Sequence, residues 1–199
     1  MAKEYLFLLD FDDTLFPTTW GVNWYFDKPH AVLPDQMDDY AKQLMVFLTT
    51  ITEFGRVVIV TNSLANWVTR GSTELLSKNG YDDTMQSITA VSEIVYAREQ
   101  FPHVQGQDAK FHAFKKIISE SHADRVIAFG DHDLDVDNFQ KAVAEAPNKQ
   151  SLFVKFRFQP SFIMVCMQLR VLNNSLLPIL TSDKMVTGVT RFLDDHTQK

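Results

Sequence analysis

Three groups of polar residues, each directly after a short apolar run, have the composition of a metal and phosphate site. The first is Asp10-Phe11-Asp12-Asp13-Thr14, which follows the apolar run Tyr5–Leu9. The second is Thr61-Asn62-Ser63, and the third is the acidic stretch from Gly130 to Asp135. Crowded carboxylates repel one another, and a hard divalent cation with oxygen ligands offsets that repulsion. The pattern therefore predicts a Mg²⁺ site that also binds phosphate.

The residues of the first group suggest nucleophilic chemistry on phosphorus. Asp10 and Asp12 would share a face if the strand continued, so one carboxylate can attack phosphorus while the other transfers protons. Thr61 and Lys110 are the candidate hydroxyl and ammonium that complete the phosphate site. The competing interpretations are an Asp-rich loop, since Asp favours turns, and a helix cap at Thr61.

Some acidic residues in the third group and directly after it must be ordinary surface residues. Asp133 and Asp137 are expected to be solvated or to cap a helix. His132 is expected to be a loop residue, because Mg²⁺ prefers oxygen ligands. The later lysines of the Lys110 helix, Lys115 and Lys116, are also expected to be solvated.

Short β-rich runs alternate with amphipathic segments along the chain, which is typical of an α/β fold with a parallel sheet. Strands are predicted at Tyr5–Leu9, Val57–Val60, Ile88–Val91, Val126–Phe129 and Leu152–Phe156. Helices are predicted over Met37–Phe54, Leu64–Lys78, Phe111–Ile118, Pro160–Leu172, near Leu176 and over Val186–Leu193. Parallel sheets carry their sites at the carboxyl ends of the strands, so the three polar groups converge there.

Composition limits the class of protein. The 199 residues include 45% apolar and 22% charged residues, which fits a single globular domain over residues 1–199. The net charge of -6 argues against a nucleic-acid partner. Cys166 is the sole cysteine, lies in an apolar run and is expected to be a buried core thiol. No secretory signal or transmembrane run is recognised, so an intracellular, cytoplasmic location is expected.

The same residues resemble the motifs of the haloacid dehalogenase (HAD) superfamily. An apolar strand followed by Asp-x-Asp-x-Thr matches Leu6–Thr14, and a strand ending in Thr matches Val57–Thr61. The lysine that opens a helix matches Lys110, and the final strand with Gly-Asp-x-x-x-Asp matches Gly130-Asp131 and Asp135. The motifs occur in the order of the family across nearly the whole chain.

This resemblance implies a Rossmann-like three-layer sandwich and a phosphatase mechanism. Asp10 would form an aspartyl-phosphate, and Asp12 would be the general acid and base. Phosphate would be bound by Thr61, Asn62 and Lys110, and Lys110 would also steady the nucleophile. Mg²⁺ would be held by Asp10, Asp12 (through its backbone carbonyl), Asp131 and Asp135, the last directly or through water.

A narrower resemblance concerns the segment Asp12–Trp20. It is similar to a mostly eukaryotic HAD subgroup with the signature Asp-Asp-Thr-Leu-x-Pro-Thr/Ser-x-Trp, which also tends to have a Trp after motif two, here Trp67. Tyr96-Ala97-Arg98 departs at its first position from the Ser-Ala-Arg turn of that subgroup. Effector phosphotyrosine phosphatases of intracellular bacterial pathogens look similar, which implies the host-cell cytosol as the location of an effector.

The gaps between the motifs bear on the substrate. Neither Asp10 to Thr61 nor Thr61 to Lys110 leaves room for a large cap domain, and uncapped HAD members act on phosphoproteins or other large substrates. An aromatic flap, about residues 15–34, could stack on a phosphotyrosine ring, although packing is the competing interpretation. Residues 160–199 form a C-terminal helical segment that covers the sheet or presents an interaction surface.

Three functions remain open from the sequence. The first is a Mg²⁺-dependent phosphatase acting on a phosphoprotein, with phosphotyrosine favoured. The second is a small-metabolite phosphatase or phosphotransferase, which would need a lid. The third is a catalytically idle HAD scaffold that serves as a binding module, against which the intact Asp10 and Asp12 argue. A response-regulator receiver has the same residue types in a different order and is disfavoured.

Overall fold

The computed structural model describes residues 5–27, 34–71, 74, 88, 90, 92–104, 108–182 and 187–191. The strands are β1 (Tyr5–Leu9), β2 (Gly55–Thr61), β3 (Glu93–Tyr96), β4 (Arg125–Gly130), β5 (Gln150–Lys155) and β6 (Gly188–Arg191). The helices are α1 (Thr18–Asp27), α2 (Pro34–Phe54), the π-helix Trp67–Gly71, α3 (Ala97–Gln100), α4 (Asp108–Glu120), α5 (Asp133–Ala144) and α6 (Phe162–Thr181).

The strands form one parallel sheet in the order β3-β2-β1-β4-β5-β6. This order places β1 between β2 and β4, where the connections change direction along the sheet. Ligands of open parallel sheets bind at that point, beyond the carboxyl ends of the strands. The predicted α/β fold with a Rossmann-like parallel sheet is confirmed.

Both faces of the sheet are covered. Phe7 and Leu9 of β1 belong to a core that includes buried residues of α2 and α6. Leu6 and Leu8 point to the other face and pack in a second core with residues of α4 and α5. This alternation follows from the two-residue period of a strand. Every residue of β1 is buried, as expected for a central strand between two helical layers.

Two predicted elements, one strand and one helix, were wrong. The third strand was predicted at Ile88–Val91, but Ile88 and Ala90 are helical and β3 begins at Glu93. Residues 89 and 91 lie outside the described residues. The run Val186–Leu193 was predicted to be a helix, whereas its described part forms β6, parallel to β5. Gly188 has φ 119, which a right-handed helix does not allow, and β-branched Val189 and Thr190 favour a strand.

The other elements agree with the prediction within a few residues. The helix predicted from Pro160 to Leu172 begins at Phe162 and continues to Thr181. The helix predicted at Leu64–Lys78 begins at Ala65 and widens into the π-helix, and most of its later half lies outside the described residues. Cys166 is buried on α6, and burial raises the pKa of its thiol to about 12, which confirms the core interpretation.

α6 bears on the prediction that no segment spans a membrane. Among the described residues it is a helix long and apolar enough to do so, with a mean hydropathy of 1.4. Core helices of soluble proteins meet the same criteria, and several of its side chains pack in the core beneath the sheet.

The buried guanidinium of Arg125 connects several elements at the amino-terminal edge of the sheet. Arg125, which is 2% exposed, donates hydrogen bonds to the Tyr5 hydroxyl and to the carbonyl of Ser182 (3.0 Å), and its Nε donates to Gln150 (3.2 Å). The Tyr5 hydroxyl in turn donates to the carbonyl of Leu180 (2.7 Å). These contacts join β1, β4 and β5 to the end of α6.

We expect Tyr5→Phe to lower the free energy of unfolding by about 1.5–3 kcal/mol, because the buried guanidinium of Arg125 loses an acceptor. Tyr40→Phe is the matched control, since its buried hydroxyl donates to the neutral carbonyl of Leu15 (2.7 Å) and should contribute about 1 kcal/mol. Urea unfolding of both variants measures the difference. Equal decreases in the free energy of unfolding for the two variants would contradict the larger contribution assigned to the hydrogen bond with Arg125.

Candidate functional site

Asp10 lies at the centre of the carboxyl edge of the sheet. Its backbone N–H donates to the carbonyl of Phe129 (2.9 Å), which continues the β1–β4 ladder by one residue. Its Oδ1 accepts hydrogen bonds from the backbone N–H of Phe11 (2.8 Å) and from Lys110 Nζ (2.7 Å). Both contacts use Oδ1, so Oδ2 is the oxygen of Asp10 that can react or bind a cation.

Lys110 reaches this point from α4, whose buried face packs on the sheet. The side chain is almost completely buried, and its ammonium lies between Asp10 and Asp135 Oδ2 (2.9 Å). The structure therefore brings together three side chains that the sequence placed in different segments. The lysine bridges β1 and the first turn of α5, and it is not solvated.

Asp10, Asp131 and Asp135 form a cluster that could hold a metal ion. One carboxylate oxygen of each lies within 4.8 Å of the others, and all three residues are buried. The donor set consists only of oxygen atoms, which fits Mg²⁺ better than a soft metal. A Cβ on Gly130 would lie 3.2 Å from Asp135 Oδ2, so the glycine lets that carboxylate approach β4 closely.

Burial and mutual repulsion disfavour the ionised forms of the carboxylates in the cluster. Burial raises the pKa of Asp10 well above its usual value; Lys110 lowers it, while the neighbouring carboxylates raise it further. Burial, followed by the nearby carboxylates of Asp13 and Asp135, raises the pKa of Asp131 to about 7. Burial lowers the pKa of Lys110, but Asp10 and Asp135 outweigh it, so the pKa is raised and the ammonium stays charged. A divalent cation would relieve this repulsion.

Asp12 lies in a different environment from Asp10. Its Oδ1 accepts hydrogen bonds from the Thr18 hydroxyl (2.6 Å) and the Trp67 indole Nε1 (2.9 Å). Its Oδ2 accepts from the hydroxyls of Ser63 (2.6 Å) and Thr61 (3.2 Å). The two carboxylates of the motif are thus separated chemically, one beside an ammonium and the other among neutral donors. The Asp12 carboxylate is not part of the carboxylate cluster.

Thr61 and Asn62 occupy different positions at the end of β2. The Thr61 side chain is fully buried, donates to Asp12 and accepts a hydrogen bond from the N–H of Ser63 (2.9 Å). Asn62 lines the open cleft. The predicted contact of Thr61 with a phosphoryl group remains a prediction, while its contact with Asp12 was not foreseen.

The cluster opens into a cleft of about 420 Å³. Its polar floor includes Asp10, Asp12, Lys110 and Asp131, and its wall includes Phe158, which is 50% exposed. The remaining lining residues are Asp13, Thr19, Asn62, Ser63, Leu64, Arg98, His132, Asp135 and Gln159. The cleft therefore combines a charged floor with an accessible aromatic ring.

Two charged residues of the site were not singled out from the sequence. Asp13, with φ 53, accepts hydrogen bonds from the N–H (2.8 Å) and hydroxyl (2.6 Å) of Thr19 and faces Asp131. Lys155, at the end of β5, donates to the Asp131 carbonyl (2.7 Å) and lies 3.5 Å from Asp133. The available signal for Lys155 was a charged residue near the carboxyl end of an otherwise apolar strand.

The residues that were not expected to bind the metal lie outside the carboxylate cluster. Asp133, Asp137, Lys115 and Lys116 are exposed. His132 caps α5, because its Nδ1 accepts a hydrogen bond from the N–H of Leu134 (3.1 Å). These observations confirm the predicted division of the acidic stretch into buried and solvated carboxylates.

Two aromatic residues of the flap, Phe16 and Trp20, belong to the hydrophobic core. Phe16 stacks on Phe11 (5.6 Å between ring centroids) and contacts Trp67 (6.2 Å). Trp20 packs on Phe162 (4.9 Å). For these two residues the packing interpretation is correct and a contact with a substrate ring is excluded by burial. The side chains of residues 23–27 and the whole of residues 28–33 lie outside the described part of the chain.

No protein-family model matches the chain, and no curated protein matches its sequence. Two crystal structures of the Legionella pneumophila effector Ceg4 are similar, one with an N-terminal TEV protease cleavage sequence and one with an N-terminal yeast Hog1p sequence. The first has 14% identity, covers 87% of this chain and 95% of that chain, and has a TM-score of 0.49. The second has 14% identity, covers 86% and 96%, and has a TM-score of 0.47. Because these values are low, the fold and site rest on this chain alone.

We expect Asp131→Asn to stabilise the metal-free protein at pH 8 and to have little effect near pH 4. The folded-state pKa of about 7 lies above the unfolded value of about 3.9, so the folded protein binds this proton more tightly. That contribution is complete below the unfolded pKa and is lost as the pH rises through 7. Mg²⁺ should raise the melting temperature of the wild type more than that of the variant.

Thermal unfolding in a chelator from pH 4 to pH 8 measures this effect, with exposed Asp133→Asn as the matched control. A difference between wild type and Asp131→Asn that does not grow with pH would contradict the buried, electrostatically crowded environment of Asp131.

Proposed function

We propose that this chain is a Mg²⁺-dependent phosphatase of the HAD type that forms an aspartyl-phosphate on Asp10. The observation that carries the proposal is the arrangement around β1: Asp10 is bonded to the buried Lys110 and lies beside Asp131 and Asp135. A second carboxylate, Asp12, is held nearby by four neutral donors. One carboxylate is thus available for attack and another for proton transfer.

In the first step, Oδ2 of Asp10 attacks the phosphorus atom of a phosphate monoester. The bond between phosphorus and the ester oxygen breaks, and protonated Asp12 gives its proton to that leaving oxygen. The products are an alcohol or phenol, an aspartyl-phosphate on Asp10 and an ionised Asp12. Lys110 holds Oδ1 of Asp10 and thereby orients the attacking oxygen.

In the second step, water attacks the phosphorus atom and Asp12 accepts a proton from it. The bond between phosphorus and Asp10 breaks, which releases inorganic phosphate and restores the ionised Asp10 and the protonated Asp12. Asp12 therefore acts as acid and then as base. Its neutral hydrogen-bond partners accommodate both roles, because three of the four are hydroxyls that can donate or accept.

The carboxylate cluster of Asp10, Asp131 and Asp135 would hold Mg²⁺. When bound, the ion supplies electrostatic stabilisation of phosphoryl oxygens and neutralises the carboxylates that would otherwise repel the substrate. Lys155 supports this cluster by holding the backbone carbonyl of Asp131. Asp12 would bind the ion through its backbone carbonyl, so its side chain is available for proton transfer.

For the substrate, we propose a phosphorylated protein, with phosphotyrosine favoured over phosphoserine. The described residues between Asp10 and Thr61 form only α1, α2 and β2, and the cleft above the cluster is open. The exposed ring of Phe158 lines this cleft and is available to contact an aromatic leaving group. The support thus comes from Phe158 and not from the buried flap residues Phe16 and Trp20.

We expect Asp10→Asn to abolish hydrolysis of a generic aryl phosphate in the presence of Mg²⁺, because the nucleophile is lost. Asp12→Asn should lower kcat about a hundredfold or more, because proton transfer is lost. Exposed Asp133→Asn should retain activity. Hydrolysis that survives Asp10→Asn would reject the aspartyl-phosphate mechanism, and an inactive wild type would favour the idle scaffold.

We expect Phe158→Leu to lower kcat/KM for a phosphotyrosine peptide roughly two- to tenfold and to leave a phosphoserine peptide unaffected, because only the former loses a ring contact. Phe158→Tyr is the control that keeps the ring. A panel of phosphopeptides and sugar phosphates measures this selectivity. Preference for sugar phosphates would favour the small-metabolite alternative, and equal losses on both peptides would remove Phe158 from substrate recognition.

A further inference from the structure

The hydrogen bonds to Asp12 come from different parts of the chain. Thr18 is the first residue of α1, Thr61 is the last residue of β2, Ser63 follows that strand, and Trp67 begins the π-helix. Four donors satisfy the acceptor capacity of a carboxylate almost completely. The orientation of Asp12 is therefore set by its neighbours and not by its own rotamer preference alone.

Trp67 differs in kind from the other three donors. Hydroxyl groups rotate and can donate or accept, so Thr18, Thr61 and Ser63 adapt to either protonation state of Asp12. The indole N–H can only donate, and its direction is fixed by the plane of the ring. Trp67 therefore requires that Oδ1 of Asp12 remain an acceptor in one position throughout the reaction cycle.

The local backbone and packing hold the indole in place. The backbone N–H of Trp67 donates to the carbonyl of Leu64 (2.9 Å), and the turn that follows is a π-helix, a rare conformation that is frequent at functional sites. The ring meets Phe16 edge to face (6.2 Å), and Phe16 stacks on Phe11, the residue between Asp10 and Asp12. The indole therefore packs, through Phe16, on the loop that carries both Asp10 and Asp12.

We infer that Trp67 is a positioning residue that fixes the Asp12 carboxyl group for proton transfer to the leaving oxygen. This inference rests on the proposed phosphatase function and assigns Trp67 a part in it that packing alone does not require. Loss of the indole N–H leaves Asp12 held by three hydroxyl groups, which can rotate and therefore fix its orientation less firmly. The rate of the step in which Asp12 protonates the leaving oxygen then falls. This rate loss is larger for a more basic leaving group, because such a group departs slowly without protonation.

The test compares Trp67→Phe with wild type across a series of phosphate monoesters of decreasing leaving-group acidity, from dinitrophenyl through phenyl to alkyl phosphate. The value measured is kcat/KM, which covers the steps up to departure of the leaving group. We expect a loss of about tenfold or more for phenyl and alkyl phosphates and less than about twofold for dinitrophenyl phosphate. Trp20→Phe, which makes the same change at a ring packed on Phe162, should show no leaving-group dependence.

Thermal unfolding confirms that both variants are folded at the assay temperature. An equal loss for all leaving groups, or no loss, would overturn the positioning role while leaving the phosphatase proposal intact. A wild type that hydrolyses none of the esters with Mg²⁺ would overturn both.

Discussion

The buried ion pairs of Lys110 are the interaction on which the site depends. Its ammonium lies 2.7 Å from Asp10 and 2.9 Å from Asp135, and all three side chains are buried. A charge buried without its partner is strongly destabilising, so the contacts oblige β1, α4 and the start of α5 to meet at this point. Lys155 adds a second buried ammonium on the carbonyl of Asp131. Together they permit carboxylates to crowd at one edge of the sheet while an excess of negative charge remains for a divalent cation.

Much of the fold could be predicted because the central strands are continuous apolar runs. β1, β2, β4 and β5 lie between helical layers, so their burial is visible in the sequence. The edge strands were harder, because β3 and β6 have four residues each and β-propensity depends on the neighbouring strand. These two segments are identified as strands by their parallel pairing with β2 and β5.

The site was predictable where residue type and strand end coincide, as at Asp10, Asp131 and the buried Asp135. Lys110 was harder, since a lysine on a helix is usually solvated, and only its buried partners distinguish it from Lys115. The proposed roles of Trp67 and Phe158 depend on contacts across the sheet edge that spacing does not encode. Phe16 and Trp20 are aromatic residues near a polar motif that belong to the core, where they pack on Phe11 and Phe162.

The most direct test of the account is chemical trapping of the phosphorylated carboxylate. Wild-type protein is mixed with an aryl phosphate and Mg²⁺, quenched in acid and reduced with borohydride, which converts an aspartyl-phosphate to homoserine. Peptide mass spectrometry then locates the modified residue. The account predicts homoserine at position 10, and none in protein quenched without substrate. Turnover with the modification at another residue, or with no trapped residue while Asp10→Asn remains active, would contradict it.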